Sequence, residues 1–251
     1  MEKIRHKEKT VKISYDLSTL EQGCRQLKVT LNDAQKKQFT DFYEFLIEKN
    51  KVMNLTGITE FQEVLVKHFL DSLACVKAVD MAKTENMIDV GTGAGFPGIP
   101  LKIAFPHLKS CLLDSLKKRV NFLEETFRLL NLEEITAVHG RAEEYARKKD
   151  YRESFDLCVS RAVSNLATLS EYCLPYVKKG GYFISYKSGA VKEEAQQAEK
   201  AIKILGGEIK DIIYFSLPDS EIQRSLVVIE KTGLCPARYP RKAGTPLKEP
   251  L

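Results

Sequence analysis

The sequence has no C-x-x-C pair, and none of its six cysteines (Cys24, Cys75, Cys111, Cys158, Cys173 and Cys235) has a histidine at ligand spacing. That excludes the common structural zinc sites and a disulfide scaffold. The expectation is no bound metal and reduced cysteines packed as small hydrophobes. No apolar run approaches the ~20 residues that span a bilayer. The first ten residues are charged and contain no apolar h-region, so no secretory leader is expected. The reading is a cytoplasmic protein without a membrane partner. Neither charge sign dominates: 39 Lys and Arg stand against 34 Asp and Glu, a net +5, which permits a polyanionic partner without requiring one. No internal repeat or low-complexity linker interrupts the 251 residues, enough for one core plus an accessory element.

What is present is organised in three parts. Residues 1–80 read as a polar, lysine-rich tail followed by a small helical element. Thr30-x-x-Asp33 resembles a capping box ahead of Phe39, Phe42, Tyr43 and Leu46 at helical spacing. Asn54-Leu55-Thr56-Gly57 makes a turn-rich link. A second helix is expected from about Thr59, with Leu65, Phe69, Leu73 and Val76 on one face. Residues 81–235 change pattern. Short apolar runs at 87–90, 111–113, 135–138, 155–159 and 182–186 alternate with amphipathic segments near 98–105, 116–130, 142–148, 166–178 and 190–205. Such alternation implies a parallel sheet covered by helices on both faces. Two more runs, 208–215 and 225–230, are separated by a Pro-Asp-Ser turn and no helix, so they should pair as an antiparallel hairpin. The fold class expected is therefore α/β, a doubly wound, mostly parallel, seven-stranded Rossmann-like sheet with an N-terminal helical element. Residues 236–251 form a basic, proline-rich arm carrying Arg238, Arg241, Lys242 and Lys248. The prolines argue against a helix or internal strand there, and an arm extended over the mouth of the site is expected.

The sharpest local signal is Asp89-Val90-Gly91-Thr92-Gly93-Ala94-Gly95-Phe96-Pro97-Gly98, between the first core strand and a helix. Ligands of doubly wound sheets bind at the carboxyl ends of strands, at the switch point, and glycine lets backbone approach a ligand closely. Gly93-x-Gly95-x-x-Gly98 formally fits a dinucleotide fingerprint, but the glycine at the strand end is Gly91, and the sixth residue counted from it is Phe96. A carboxylate at that strand end, Asp89, suits a ligand carrying an ammonium and a sulfonium better than a pyrophosphate. S-adenosylmethionine (SAM) is thus favoured over a nicotinamide dinucleotide, with Asp89, Gly91, Gly93, Gly95 and Phe96 as cofactor-binding candidates. Asp114, ending the second strand, is placed for the ribose hydroxyls or as a helix cap. After the third strand, Gly140-Arg141-Ala142-Glu143 puts the backbone of Ala142 and Glu143 at the adenine, although Glu143 would equally suit a first helical turn. Five β/α units ending in a hairpin match the methyltransferase variant of this fold.

The fourth strand tip reads Val159-Ser160-Arg161-Ala162-Val163. It lacks the Asn/Asp-Pro-Pro-Tyr arrangement that holds an exocyclic amine and the Pro-Cys nucleophile that activates a pyrimidine carbon. Lys187 could assist an alcohol, but its partners for that chemistry are not evident. An acceptor needing no activation remains. Guanine N7 is one, a lone pair exposed on the base edge, whose methylation needs in-line positioning rather than a base. No residue is required as general base, and Arg161 is a candidate for positioning, with binding of the cofactor or the RNA backbone, or a structural pair with a carboxylate, as its alternatives.

These motifs together resemble one family. Asn54-Leu55-Thr56, His68-Phe69-Leu70-Asp71-Ser72, the glycine loop through Leu101, Leu113-Asp114-Ser115-Leu116-Lys117-Lys118-Arg119, Gly140-Arg141-Ala142-Glu143, Ser160-Arg161-Ala162-Val163 and Tyr239-Pro240-Arg241-Lys242-Ala243-Gly244-Thr245-Pro246 are similar to the bacterial 16S ribosomal RNA guanine-N7 methyltransferases, the RsmG or glucose-inhibited division protein B family. The likeness covers roughly residues 30–251. It implies SAM contacts at Gly91, Phe96, Ala142, Glu143 and Arg161. It also implies methylation of a guanine in the 530 hairpin of 16S RNA, naked or within a small-subunit particle, where loss of the mark favours streptomycin resistance. RNA-binding candidates are Lys187, Arg224, Arg238, Arg241, Lys242 and Lys248, and a monomer is expected. The charged stretch Arg147–Ser154 lies outside every motif. His68 reads equally as a packed histidine and as a substrate contact. An NAD-dependent oxidoreductase and a non-catalytic nucleotide-binding regulator are the rival classes on this fold.

Overall fold

The computed structural model describes residues 15–161 and 164–251. The expected loose N-terminal tail, up to residue 14, and Ala162 and Val163 of the fourth strand tip lie outside the described residues. The helical element opens with α1 (Ser18–Gln26) and α2 (Asp33–Met53). The sequence pattern missed α1. It holds only two buried apolar side chains, Leu20 and Cys24, beside the buried Gly23, where a Cβ would come within 2.4 Å of Leu70. Close crossing, rather than propensity, keeps this short helix in place. The capping box of α2 lies two residues beyond the one expected. Asn32 accepts from the Gln35 N–H, and Gln35 reaches back to the Asn32 N–H, both at 2.9 Å. The Gln35 amide also donates to the carbonyls of Ile103 and Ala104, tying this element to the core.

The second helical stretch is continuous but uneven: α3 (Phe61–Val64), a π-helical turn (Leu65–Leu70), α4 (Asp71–Leu73) and a 3₁₀ turn (Ala74–Lys77). Glu60 caps it by accepting from the Glu63 N–H. Leu65, Phe69 and Leu73 are buried as the spacing predicts, and Val76 is half-buried.

The core then alternates as expected: β1 (Asn86–Val90), α5 (Gly98–Ala104), β2 (Lys109–Asp114), α6 (Lys117–Leu129), β3 (Ile135–His139), α7 (Ala142–Tyr145), β4 (Phe155–Arg161), α8 (Leu166–Cys173), β5 (Val177–Ser188), α9 (Lys192–Ile204), β6 (Gly207–Ser216) and β7 (Gln223–Lys231). The sheet order is β3-β2-β1-β4-β5-β7-β6. β1 to β5 run parallel, and β7 inserts antiparallel between β5 and β6. The chain leaves β1 toward β2 and β3, then returns to place β4 on the other side, so the switch point lies between β1 and β4.

Alternate residues of β1 feed two apolar layers. Met87 joins α2, α5, α6 and the helical element on one face, while Ile88 and Val90 join α8 and α9 on the other. A strand covered on both faces should be almost wholly buried, and β1 is buried from Met87 through Val90. The C-terminal segment ends in a short helix, α10 (Thr245–Lys248), against the expectation of none. Pro246 sits in its first turn, where a missing N–H has no intrahelical acceptor to lose.

Candidate functional site

The glycine loop leaves β1 with Gly91, Gly93 and Gly95 all at positive φ (74°, 60° and 91°), a backbone that residues with a Cβ adopt only under strain. The two later glycines serve different ends. A Cβ at Gly95 would meet Ile99 at 2.3 Å, so that glycine is needed for packing, whereas one at Gly93 would meet nothing within 4 Å. Asp89 is fully buried and turned inward. Its Oδ2 accepts from the Thr92 hydroxyl (2.7 Å) and from the Gly98 N–H at the start of α5 (2.8 Å), while Oδ1 is buried without a hydrogen-bond partner. Burial pushes its carboxyl up to about 7. The placement corrects the expectation of a ligand-facing Asp89: the side chain shapes the loop from behind. It also argues against a dinucleotide, because the helix N-terminus that would receive a pyrophosphate already holds this carboxylate.

The open side of the loop faces a cavity of about 290 Å³ lined by Val90, Gly91, Asp114, Arg141, Glu143 and Tyr172, with Leu113, Ser115, Arg119, Gly140 and Ala142 completing the wall. Asp114 is 3% exposed. It accepts from the N–H groups of Gly93 (2.9 Å) and Leu116 (2.8 Å) and sits 3.4 Å from Arg119. Loop tether, turn bond and cavity-lining carboxylate thus coexist in one residue. A carboxylate offers about four acceptor positions, so about one remains, or two if half-exposed Arg119 moves aside. The Ala142 carbonyl is taken by the Tyr176 hydroxyl and by its own helix. What α7 offers the cavity is the N–H groups of Ala142 and Glu143, which precede the first bonded N–H of the helix, that of Glu144. Glu143 is buried, and its Oε1 accepts the Gly244 N–H at 2.8 Å.

A second cavity, about 350 Å³, lies at the tips of β4 and β5 and is lined by Ile58, Lys67, His68, Asp71, Arg161, Tyr186, Lys187, Ser188 and Arg224. The two cavities are mechanically joined, since Ser160 donates its hydroxyl to the Val90 carbonyl (2.7 Å) and precedes Arg161. Arg161 binds Asp71 at 2.8 Å, the Lys67 carbonyl at 3.3 Å, and approaches His68 Nδ1 at 3.4 Å. Arg224 reaches the other Asp71 oxygen at 3.3 Å. The His68 ring stacks on Phe96 with centroids 4.5 Å apart and meets the Thr56 hydroxyl at 2.7 Å. Burial and the neighbouring Arg161 depress its pKa to about 3, which keeps the ring neutral. Lys187 is committed to Glu194 and the Ser164 carbonyl.

The family model GidB, rRNA small subunit methyltransferase G, matches residues 35–226. The chain belongs to this family. The protein is accordingly a methyltransferase. A ribosomal RNA small subunit methyltransferase G of Lachnoclostridium phytofermentans is 56% identical over 94% of this chain and 98% of its own length. The namesake of Bacillus velezensis is 48% identical over 89% of this chain and 93% of its own. Among solved structures, StiE O-MT residues 961–1257 superposes with a TM-score of 0.50 at 17% identity, covering 64% of this chain and 72% of that one, a likeness of fold. Among the described residues no group of metal-ligating side chains gathers, and no helix is long and apolar enough to cross a membrane.

For this methyltransferase the strand-tip candidates Gly91, Asp114, Ala142 and Glu143 meet around one cavity. Gly93 and Gly95 shape the loop beside it. Phe96 instead packs between Phe42, Phe69 and His68, and Arg161 lines the second cavity rather than the first. Of the RNA candidates, Lys187 and Arg224 also line that second cavity, both already paired. Arg241 is not a free cation: it holds Glu171 with three side-chain bonds, Nε to both oxygens and Nη2 to one, and one backbone bond. Arg238, Lys242 and Lys248 are exposed. Sequence reasoning did not place Tyr172 in a cavity wall, and it met Asp71 only as part of the motif that begins at His68. Glu171 was detectable in principle, as the one charged residue within the apolar helix α8.

Proposed function

We propose that the protein transfers the methyl group of SAM to N7 of a guanine in the 530 hairpin of 16S ribosomal RNA, with the adenosyl group in the first cavity and the guanine in the second. Family membership supports the RNA substrate. The observation that carries the chemistry is that the groups lining the second cavity which could serve as a base are held by cations or hydrogen bonds: His68 neutral between Thr56 and Arg161, Asp71 ion-paired to two arginines although its Oδ1 has no hydrogen-bond partner, Lys187 on Glu194. Such a site orients an acceptor, and the two arginines keep its one carboxylate a weak base, which suits a ring nitrogen with a ready lone pair.

The residues present fit SAM. Gly93 leaves an open cradle that a Cβ would fill, Asp114 presents a carboxylate with acceptor capacity to spare, and the start of α7 presents the N–H groups of Ala142 and Glu143. Gly91, Asp114, Ala142, Glu143 and Tyr172 would hold the adenosyl part. When bound, SAM supplies an electrophilic methyl on a sulfonium. The chain's part is to position and to exclude water. Phe96 and His68 form an aromatic wall beside the second cavity, and the Asp71–Arg161–Arg224 cluster fixes its polar edge. The test is primer-extension mapping of N7-methylguanine in small-subunit RNA, with and without the protein, after borohydride reduction and aniline cleavage at N7-methylated positions. A single SAM-dependent stop in the 530 hairpin is expected. A methyl found on an exocyclic amine or a ribose hydroxyl would sink the proposal.

A further inference from the structure

The C-terminal segment is latched to the two walls of the first cavity, and on a short list of strong contacts. On one wall, Glu171 of α8 is 0% exposed. It accepts the Arg241 backbone N–H (2.7 Å), Arg241 Nε (3.0 Å) and Arg241 Nη2 (2.7 Å). The Arg241 guanidinium also donates to the Glu249 carbonyl at 2.7 Å, closing the arm on itself around α10. One turn earlier in α8, Thr168 donates to the Pro246 carbonyl. The next residue after Glu171 is Tyr172, which lines the cavity. On the other wall the Gly244 N–H binds the carboxylate of Glu143, also a lining residue. Gly244 has φ +85°, a conformation that aims this N–H and that glycine adopts without strain. Behind the arm, the charged stretch that fell outside every motif acts as a clamp. Arg147 donates to the carbonyls of Arg238 and Pro240, and Arg152 to those of Cys235, Pro236 and Tyr239.

We infer that Arg241 is a positioning residue for the cofactor: through Glu171 and the Gly244–Glu143 bond it sets the spacing between α7 and α8, and so the shape of the adenosyl cavity, rather than contacting RNA. The inference rests on the reading that the first cavity takes SAM. A buried carboxylate that loses its cation is strongly destabilised. When Arg241 is truncated, Glu171 keeps only the backbone N–H of residue 241, and its relief toward water shifts the α8 turn bearing Tyr172 and loosens the arm that brings the Gly244 N–H to Glu143. The exposed neighbours Lys242 and Lys248 make none of these bonds.

The experiment measures SAM affinity by calorimetry on the full chain and on Arg241→Ala, Arg241→Lys and the double variant Lys242→Ala/Lys248→Ala. It is paired with amide hydrogen exchange of the unaltered protein with and without SAM. Arg241→Ala should raise the SAM Kd about tenfold and raise the KM for SAM with little change in kcat at saturation. Arg241→Lys, which keeps the charge but cannot span both carboxylate oxygens, should fall between. The double variant should bind SAM as the unaltered protein does. Because coupling between arm and cofactor is reciprocal, SAM should slow exchange of the Arg241 and Gly244 amides by a similar factor, a readout that needs no variant to fold. An unchanged Kd in Arg241→Ala, or exchange at these two amides indifferent to SAM, would overturn the inference while leaving the cavity assignment standing. Failure of the unaltered protein to bind SAM at all would remove both.

Discussion

Two buried groups, His68 and Asp89, titrate in opposite senses. His68 ordinarily titrates near 6.5 and is held at about 3 by burial and by Arg161. Between those values the unfolded chain binds a proton that the folded one does not. Its contribution to stability is therefore complete above about pH 6.5 and is lost as pH falls. Asp89 ordinarily titrates near 3.8 and is raised to about 7 by burial. Its contribution is complete below about pH 3.8 and is lost as pH rises through 7. In the shared window, about pH 4 to 6.5, the two slopes oppose and mask each other. Relative to the unaltered protein, His68→Asn should become less stable with rising pH across that window, and Asp89→Asn more stable. Denaturant midpoints at half-unit steps from pH 4 to 7.5 check this; two variants whose profiles run parallel to the parent would show that neither group is held as described. The same pair shows what a motif conceals. A carboxylate at a strand end signals a ligand site, but whether it faces the ligand or the loop depends on a side-chain rotation that no spacing encodes. Here the Gly98 N–H and the Thr92 hydroxyl turn it inward.

Among the elements, the strands were legible because a parallel strand covered on both faces carries an apolar run at its centre, as β1, β2, β4 and β5 do. The hairpin was legible because a Pro-Asp-Ser turn leaves no room for a crossover. Residues whose roles depend only on the strand tips, such as Asp114, Ala142 and Glu143, came with them. The latch between Glu171 and Arg241 did not, because its partners are 70 positions apart and neither has a local pattern that names the other. Helix α1 escaped because its stability lies in packing against Leu70 rather than in its own composition. The start of α2 was misplaced by two residues. Thr30 and Asp33 satisfy the same residue classes as Asn32 and Gln35, and only the chain's path decides between them. The structure makes the distinction measurable. Asn32→Ala should destabilise the protein by about 1 kcal/mol, the usual cost of losing an N-cap, while Thr30→Ala should change stability by less than about 0.5 kcal/mol, as for an ordinary surface position. Equal losses by thermal or urea unfolding would return the cap to Thr30.

Across the whole molecule, the net charge of +5 is less available to RNA than the sequence implies. Three of the six expected RNA-binding cations are spent inside: Lys187 on Glu194, Arg224 on Asp71 and Arg241 on Glu171. The exposed ones, Arg238, Lys242 and Lys248, lie on the arm, which the latch holds against the first cavity. An arm so fixed presents its lysines at a constant place beside the site, and it need not order itself when RNA arrives. Phosphate contacts release counterions, and each lost contact reduces the log–log dependence of affinity on salt by roughly 0.7–0.9. Lys242→Ala/Lys248→Ala should therefore flatten that dependence by about 1.4–1.8 and weaken RNA binding most at low salt. Arg241→Ala, by contrast, should leave the slope at its original value, since its charge is already neutralised by Glu171 and faces the protein. Filter binding of a small-subunit RNA fragment across a salt series separates the two. A slope unchanged in the double variant would mean that the arm's lysines stay in solvent when RNA binds, and a slope reduced by Arg241→Ala alone would mean that the latch opens on RNA and hands its arginine to a phosphate.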